Sequence, residues 1–397
     1  MKVALVYDRV NKWGGAERVL LALHDLFPNA PLYTSVYNPQ KAPWAKVFDV
    51  KTSFLQKLPL ASSSHEILAP LMPLAFESFS FDEYDLVISL TSEAAKGIVT
   101  KPKTIHVCYC LTPTRYLWSG YKEYFANSTI RFLSKPAVFY LKTWDKIAAQ
   151  RPDAYIAISK EVQKRIKKYY GKDSIVIYPP VSLGAEVAYE NFLVHDAKKL
   201  KGSSRTSKPA SVHSENFVGS SRPNRGGYFL VVSRLVPYKR IDIAIEACNK
   251  LKLSLKIIGT GKEENRLKSL AGSTIEFLGN LTDEELVSYY KNCRVLIFAG
   301  YEDFGLTILE AQSFGKPVIA FKAGGALETV IDGKTGLFFN ESTVESLIRA
   351  IEQFNNLTID SVDCVKQASK FSFKTFKEQF MNEILRLMPQ DDMEKKI

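Results

Sequence analysis

At 397 residues the chain is long for one hydrophobic core, so two domains are expected, and its 46% hydrophobic and 24% charged content is that of a globular protein. No stretch approaches the length of a transmembrane helix, and the opening MKVALVYDRV reads as a strand instead of a signal peptide, which predicts a cytoplasmic protein. The net charge of +11 sits in the first half: residues 1–195 hold 24 Lys and Arg against 17 acids, and residues 196–227 hold 7 against 2. Such a surface suits nucleic acid or an anionic membrane face; no zinc-finger, helix-turn-helix, RRM or KH signature accompanies it, so nucleic acid is set aside as a partner.

Taken in order, Lys2–Tyr7 is a predicted buried strand. The loop Asp8–Arg18 follows with Gly14-Gly15, and a helix runs through Val19–Leu23. A glycine pair between strand and helix lets backbone approach a ligand closely and presents N–H groups at the helix start, although a plain tight turn asks for the same residues. The spacing is not that of a dinucleotide fingerprint. Leu86–Ser89 and Thr104–Tyr109 are further predicted strands. Cys108 and Cys110 alternate at the end of the second; with five scattered cysteines in all, they read as core residues and not as a metal pair or disulfide. In the loop CLTPTRYLW after that strand, Arg115 is either a phosphate or substrate ligand or a surface arginine stacked on Tyr116 or Trp118. Residues 112–151 interleave aromatics with seven bases against two acids. That mixture suits a membrane interface, or else a helix pair with its aromatic face in the core. Ala154–Ser159, the helix Lys160–Tyr170 capped by Ser159, and the strand Ser174–Tyr178 complete this half.

From about Ser182 to Gly227 periodicity fades into Ser, Lys, Arg, Asn and Gly, the composition of a polar linker. The reading is therefore a first domain over 1–182, a basic linker over 183–226 and a second domain over 227–372. The second domain restarts with the strand Tyr228–Val232 and the loop Ser233–Arg240, which carries Arg234 and Lys239. Strand Leu255–Ile258 ends in Gly259-Thr260-Gly261, and strand Thr274–Leu278 ends in Gly279-Asn280-Leu281. Val295–Phe298, a polar loop, a helix and Val318–Phe321 then form a βαβ unit closed by Gly324-Gly325. This alternation predicts two doubly wound, Rossmann-like α/β domains, with ligands at the carboxyl ends of the strands. Arg234 and Lys239 fall on that edge, where two cations can neutralise a pyrophosphate and stabilise it as a leaving group. Glu302 and Glu310 frame the last loop. They can accept hydrogen bonds from the diols of a nucleotide-sugar, while the loop and helix start between them offer N–H groups. The plain alternative is a capping acid and a solvated helix acid.

Together, SRLVPYKRID, the Glu302-to-Glu310 stretch and FKAGGALETVIDGKTGLFF resemble the retaining glycosyltransferases of family 4. YDRVNKWGGAERV and CYCLTPTRYLW are similar to the amino-terminal motifs of bacterial mannosyltransferase-like members that build O-antigen and capsular polysaccharides. The resemblance implies the GT-B fold, two Rossmann-like domains facing a central cleft, with the last helix of 373–397 crossing back to the first domain. It implies that Arg234 and Lys239 hold the donor diphosphate and that Glu310 binds the ribose. Glu302 and the Asp303, Phe304, Gly305, Leu306 backbone would hold the transferred sugar. Gly259, Gly261, Asn280 and Leu281 would lie near the base, and Gly14 and Gly15 would approach the phosphates. Neither metal nor cofactor is implied, and the sequence has no Asp-x-Asp. The implied partners are a nucleotide-sugar donor, GDP-mannose, and a glycan or lipid-linked acceptor at the inner membrane face. One departure stands out: Leu111 occupies the position before Thr-Pro where the group usually has His, which leaves open a catalytically weak or inactive copy.

Overall fold

Apolar runs bounded by turn formers become strands in both halves, and they assemble into two separate parallel sheets. The computed structural model describes residues 1–58, 65–125, 128–181, 183 and 227–388. Residues 184–226 of the predicted linker and 389–397 of the last predicted segment lie outside these. The chain divides into one unit of Met1–Pro180 with Phe373–Ile397 and a second of Val181–Ser372.

In the first unit the strands are β1 (Val3–Tyr7), β2 (Leu32–Thr34), β3 (Val50–Thr52), β4 (Leu86–Thr91), β5 (Ile105–Cys110), β6 (Ala154–Ala157) and β7 (Ile175–Val176). Their order is β3-β2-β1-β4-β5-β6-β7. The β4 and β5 runs are buried almost throughout, as expected for a sheet covered on both faces. The edge strand β7 is shorter than predicted, because Pro179-Pro180 just beyond it cannot extend a ladder of N–H donors. Helix α1 (Gly15–Leu26) buries Val19, Leu20 and Leu23. Helix α2 is Met72–Glu77, α3 is Tyr121–Tyr124, α4 is Ser128–Ala148 and α5 is Lys160–Tyr170. All five cysteines are buried, Cys108 and Cys110 within β5. His106 is also core: its Nε2 lies 2.8 Å from Ser89 Oγ, and burial, helped by the Arg151 charge, pushes its pKa down to about 3.

The aromatics of 112–151 divide: Trp118 and Trp144 are half-buried, Trp144 against the core, whereas Phe132, Phe139 and Tyr140 depart from the packed alternative. Helix α4 turns Leu141, Asp145 and Ala148 inward and leaves Phe132 68%, Leu133 72% and Phe139 75% exposed. The buried ion pair of Asp145 with Lys96 decides which side faces in.

In the second unit β8 (Phe229–Val232) is followed by α6 (Ile241–Leu251), β9 (Leu255–Ile258), α7 (Glu264–Leu270), β10 (Ile275–Gly279) and α8 (Asp283–Asn292). Then come β11 (Val295–Phe298), α9 (Leu306–Ser313), β12 (Val318–Phe321), α10 (Ala326–Thr329), β13 (Gly336–Phe339), α11 (Val344–Asn355) and α12 (Ser361–Ser369). The sheet order is β10-β9-β8-β11-β12-β13, so winding reverses between β8 and β11. Thr282 and Glu285 form a capping box that starts α8 where the sequence places it. One face of the sheet is filled by Val231, Ile245, Ile257, Ile297 and Ile351, the other by Leu230, Tyr290, Leu296, Ile308 and Val318. The last helix, α13 (Phe373–Leu387), packs on the first unit: Phe376 stacks on Tyr109 at 6.1 Å, and Phe380 meets Tyr109 at 5.6 Å and Phe27 at 6.5 Å.

Candidate active site

The reversal between β8 and β11 brings together two loops far apart in the chain. In an open α/β sheet the crevice outside the strand ends at such a point is where ligands bind. The loop after β8 contributes Arg234, Tyr238 and Lys239, the last from a short 3-10 turn of Pro237–Lys239. The loop after β11 contributes Glu302, whose carboxylate pairs with the Lys239 ammonium; the two side chains are only 21% and 11% exposed. Tyr238 stands between the cations. Its hydroxyl accepts from the Arg234 guanidinium at 2.7 Å, and its ring centroid is 5.4 Å from Lys239 Nζ. The carboxylate and the ring thus hold two cations side by side at the strand ends, where uncompensated they would repel. Below them a small recess is lined by Val231, Ser233, Lys239, Phe298, Gly300 and Glu302 among others.

The glycines of these loops have a reason the sequence does not display. A Cβ on Gly259, where φ is +128°, would stand 2.0 Å from the Ser233 carbonyl oxygen; one on Gly324, at φ +59°, would stand 2.2 Å from that of Glu302. The loop after β9 therefore supports the Arg234–Lys239 loop, and the loop after β12 supports the Glu302–Phe304 loop. Gly261 and Gly325 make similar close approaches, to Leu235 and Phe304. Backbone meets backbone at these four positions, whatever ligand the loops also meet.

Glu310 lies in α9, which starts behind Gly305. It is not the solvated helix acid of the plain alternative: it is 4% exposed, and one carboxylate oxygen accepts from the Tyr290 hydroxyl at 2.8 Å. Tyr290 is itself fully buried and stacked on Phe314 at 5.8 Å. Phe304 is buried, with its ring 5.7 Å from that of Phe371, so only its backbone borders the loop surface. Asp303 and Leu306 are half-buried on either side of it. Exposed Asn280 and half-buried Leu281 follow β10, the edge strand, two places from β8 in the sheet.

The first unit has its own reversal, between β1 and β4. Gly14 is the N-cap of α1 and Gly15 its first residue; Glu17 in that turn faces inward and accepts from the Tyr7 hydroxyl at 2.6 Å. At the strand ends Arg9 pairs with Glu93. Burial raises the Glu93 pKa while the Arg9 charge opposes the rise. The Asp8 carboxylate accepts from Thr91 Oγ1 and from the N–H groups of Ser92, Ala94 and Ala95 at 2.8–2.9 Å, which fixes the loop after β4. Leu111 is buried, its N–H bonded to the Thr91 carbonyl at 2.8 Å. Arg115 is half-buried in the turn beyond it, where its carbonyl accepts from Gly120 at 2.8 Å. Sequence reasoning missed Arg9, Glu93, Tyr238 and Tyr290. Tyr238 had a signal, since it lies between the two cations; the others meet their partners only through the fold.

Residues 213–371 match the family model "Glycosyl transferases group 1". The chain carries a glycosyl transferases group 1 domain. An uncharacterized glycosyltransferase of Methanocaldococcus jannaschii, MJ1178, is 35% identical over 141 residues, covering 34% of this chain and 40% of that protein. The chain thus spans well under half the length of that relative. The alpha-1,3/1,6-mannosyltransferase ALG2 of Dictyostelium discoideum is 25% identical over 425 residues, covering 94% of this chain and 95% of ALG2. Among solved structures, Anabaena Alr3699/HepE in complex with UDP superposes with a TM-score of 0.66 at 19% identity, covering 98% of this chain and 100% of that one. The group 1 domain and the unit before it therefore share the fold of GT-B glycosyltransferases, as the sequence led one to expect.

Proposed function

We propose that the protein is a retaining glycosyltransferase of family 4 that moves a hexose, mannose, from GDP-mannose to a glycan or lipid-linked acceptor in cell-surface polysaccharide synthesis at the inner membrane face. The observation that carries this is the β8–β11 reversal, where Arg234, Tyr238 and the Lys239–Glu302 pair stand together. The name of ALG2 supports the sugar. In the proposed chemistry the bond from the anomeric carbon to the diphosphate oxygen breaks, and a bond to the acceptor oxygen forms on the same face. The acceptor proton passes to the departing diphosphate, whose charge Arg234 and Lys239 neutralise. Glu302 and the Asp303–Leu306 backbone hold the sugar, and Glu310 the ribose. With both charges supplied by side chains, no metal or cofactor is assigned.

The test is thermal unfolding with GDP, UDP, ADP and their sugar conjugates, without added metal. GDP and GDP-mannose at about a hundred times their dissociation constant should raise the melting temperature by roughly 5 °C or more. A response to uridine nucleotides alone, as the HepE complex would suggest for that protein, would overturn the base; no response to any would overturn the donor reading. Tyr290→Phe keeps the stacking on Phe314 but loses the hydrogen bond to Glu310. It should raise the donor KM several-fold, about 1 kcal/mol, with kcat little changed; an unaltered KM would detach Tyr290 from donor binding.

A second reading, a weak or inactive copy that binds nucleotide-sugar or partners another transferase, is favoured by buried, apolar Leu111.

A further inference from the structure

Helix α4 carries a surface that the transfer reaction does not use. At 3.6 residues per turn its outward side divides into two adjoining sectors. One holds Phe132, Leu133, Phe139, Tyr140 and Ile147, every one exposed. The other holds Lys135, Lys142 and Lys146, also exposed. Lys135 Nζ lies 5.3 Å from the ring of Phe132 in the apolar sector, while Lys142 and Lys146 lie 4.6 and 5.8 Å from the half-buried ring of Trp118. Asp145, the only acid between 128 and 148, faces inward at 1% exposure and is spent on Lys96. Beside α4, Leu71 and Leu74 at the start of α2 are exposed as well. Five large apolar side chains in water on one helix are not the ordinary scatter of surface hydrophobics.

We propose that this face of α4 docks on an anionic lipid bilayer, with the helix lying in the interface plane. The apolar sector enters the boundary between headgroups and acyl chains, and the lysine sector meets the anionic headgroups. The charge decides between occupants. A protein partner or a second copy would prefer a patch poor in lysine at its core, since lysine is depleted in protein interfaces. A row of lysines along an apolar stripe, with no outward acid, matches a negatively charged membrane. Among the described residues no helix is long and apolar enough to cross a membrane, so the contact lies on the surface of the bilayer. The inference stands independently of the sugar donor.

The test is co-sedimentation of the full chain with vesicles of phosphatidylcholine alone and with about a third phosphatidylglycerol, at low and at physiological ionic strength. Binding should need the anionic lipid and weaken with salt. Lys135→Glu/Lys142→Glu/Lys146→Glu should weaken it by at least about tenfold. Phe132→Ser/Phe139→Ser should weaken it comparably although every lysine remains. The substituted side chains are exposed, so both variants should melt with the wild type, and the basic segment 196–227 stays intact in each. Wild type indifferent to anionic vesicles, or either variant binding as wild type does, would overturn the proposal. So would a dimer, seen by light scattering, that Phe132→Ser/Phe139→Ser dissolves, because a second copy would then be the occupant.

Discussion

Lys239→Ala is expected to reduce kcat/KM for sugar transfer by roughly 30- to 1000-fold, about 2–4 kcal/mol of transition-state stabilisation. Two consequences of the substitution act in the same direction. The ammonium that would face the developing diphosphate charge is gone. Glu302, only 21% exposed and paired with that ammonium, is left as an uncompensated carboxylate at the place where further negative charge must gather. Lys239→Arg should recover part of the loss, because it restores charge without the same geometry against Glu302 and Tyr238. Glu310→Ala should cost a similar amount by a different route. It removes the buried carboxylate assigned to the ribose and strands the Tyr290 hydroxyl, so its effect should concentrate in donor affinity. The checks are steady-state kinetics with saturating acceptor, alongside melting temperatures to show that each variant folds. Turnover by both alanine variants at the wild-type rate would refute the assignments.

Much of this arrangement is visible in the sequence, and what is not has physical reasons. The strands of both sheets are short apolar runs between turn formers, and such runs are decided locally; the Arg234–Lys239 loop falls on the ligand edge simply because it follows one of them. The pairing of Lys239 with Glu302 is a different matter. It depends on β8 and β11 being neighbours, a fact of topology that no local pattern encodes. Buried Tyr290 behind Glu310 is hidden for the same reason. The glycines carry a requirement their positions alone do not reveal: besides any ligand, Gly259 and Gly324 are needed by carbonyl groups of adjoining loops. For α4 the periodicity shows an aromatic-basic side but not which way it turns. Asp145 settles that, through a lysine 49 residues away in the chain.

That contact underlies the largest expected effect on stability. Lys96 and Asp145 are each 1% exposed, with Nζ and Oδ1 2.5 Å apart. The carboxylate also accepts from Thr114 Oγ1 at 2.9 Å and Trp118 Nε1 at 2.7 Å, while Lys96 donates in addition to the Glu93 carbonyl. Burial alone would depress the Lys96 pKa, but the Asp145 charge overrides it and the net shift is upward, so Lys96 stays an ammonium. Asp145→Ala would leave that ammonium buried without its counter-charge, and unfolding free energy should fall by about 3–5 kcal/mol. Lys96→Met/Asp145→Leu removes both charges, leaves only neutral groups such as Trp118 Nε1 without their partner, and should lose clearly less than the single variant, so the difference between the two measures the stranded charge and not the worth of the pair. Urea titration of the two variants distinguishes these cases. A single variant within 1 kcal/mol of wild type would mean that water reaches Lys96. In that event the pair would not be what holds one side of α4 against the segments that follow β4 and β5 and leaves Phe132 and Phe139 outside.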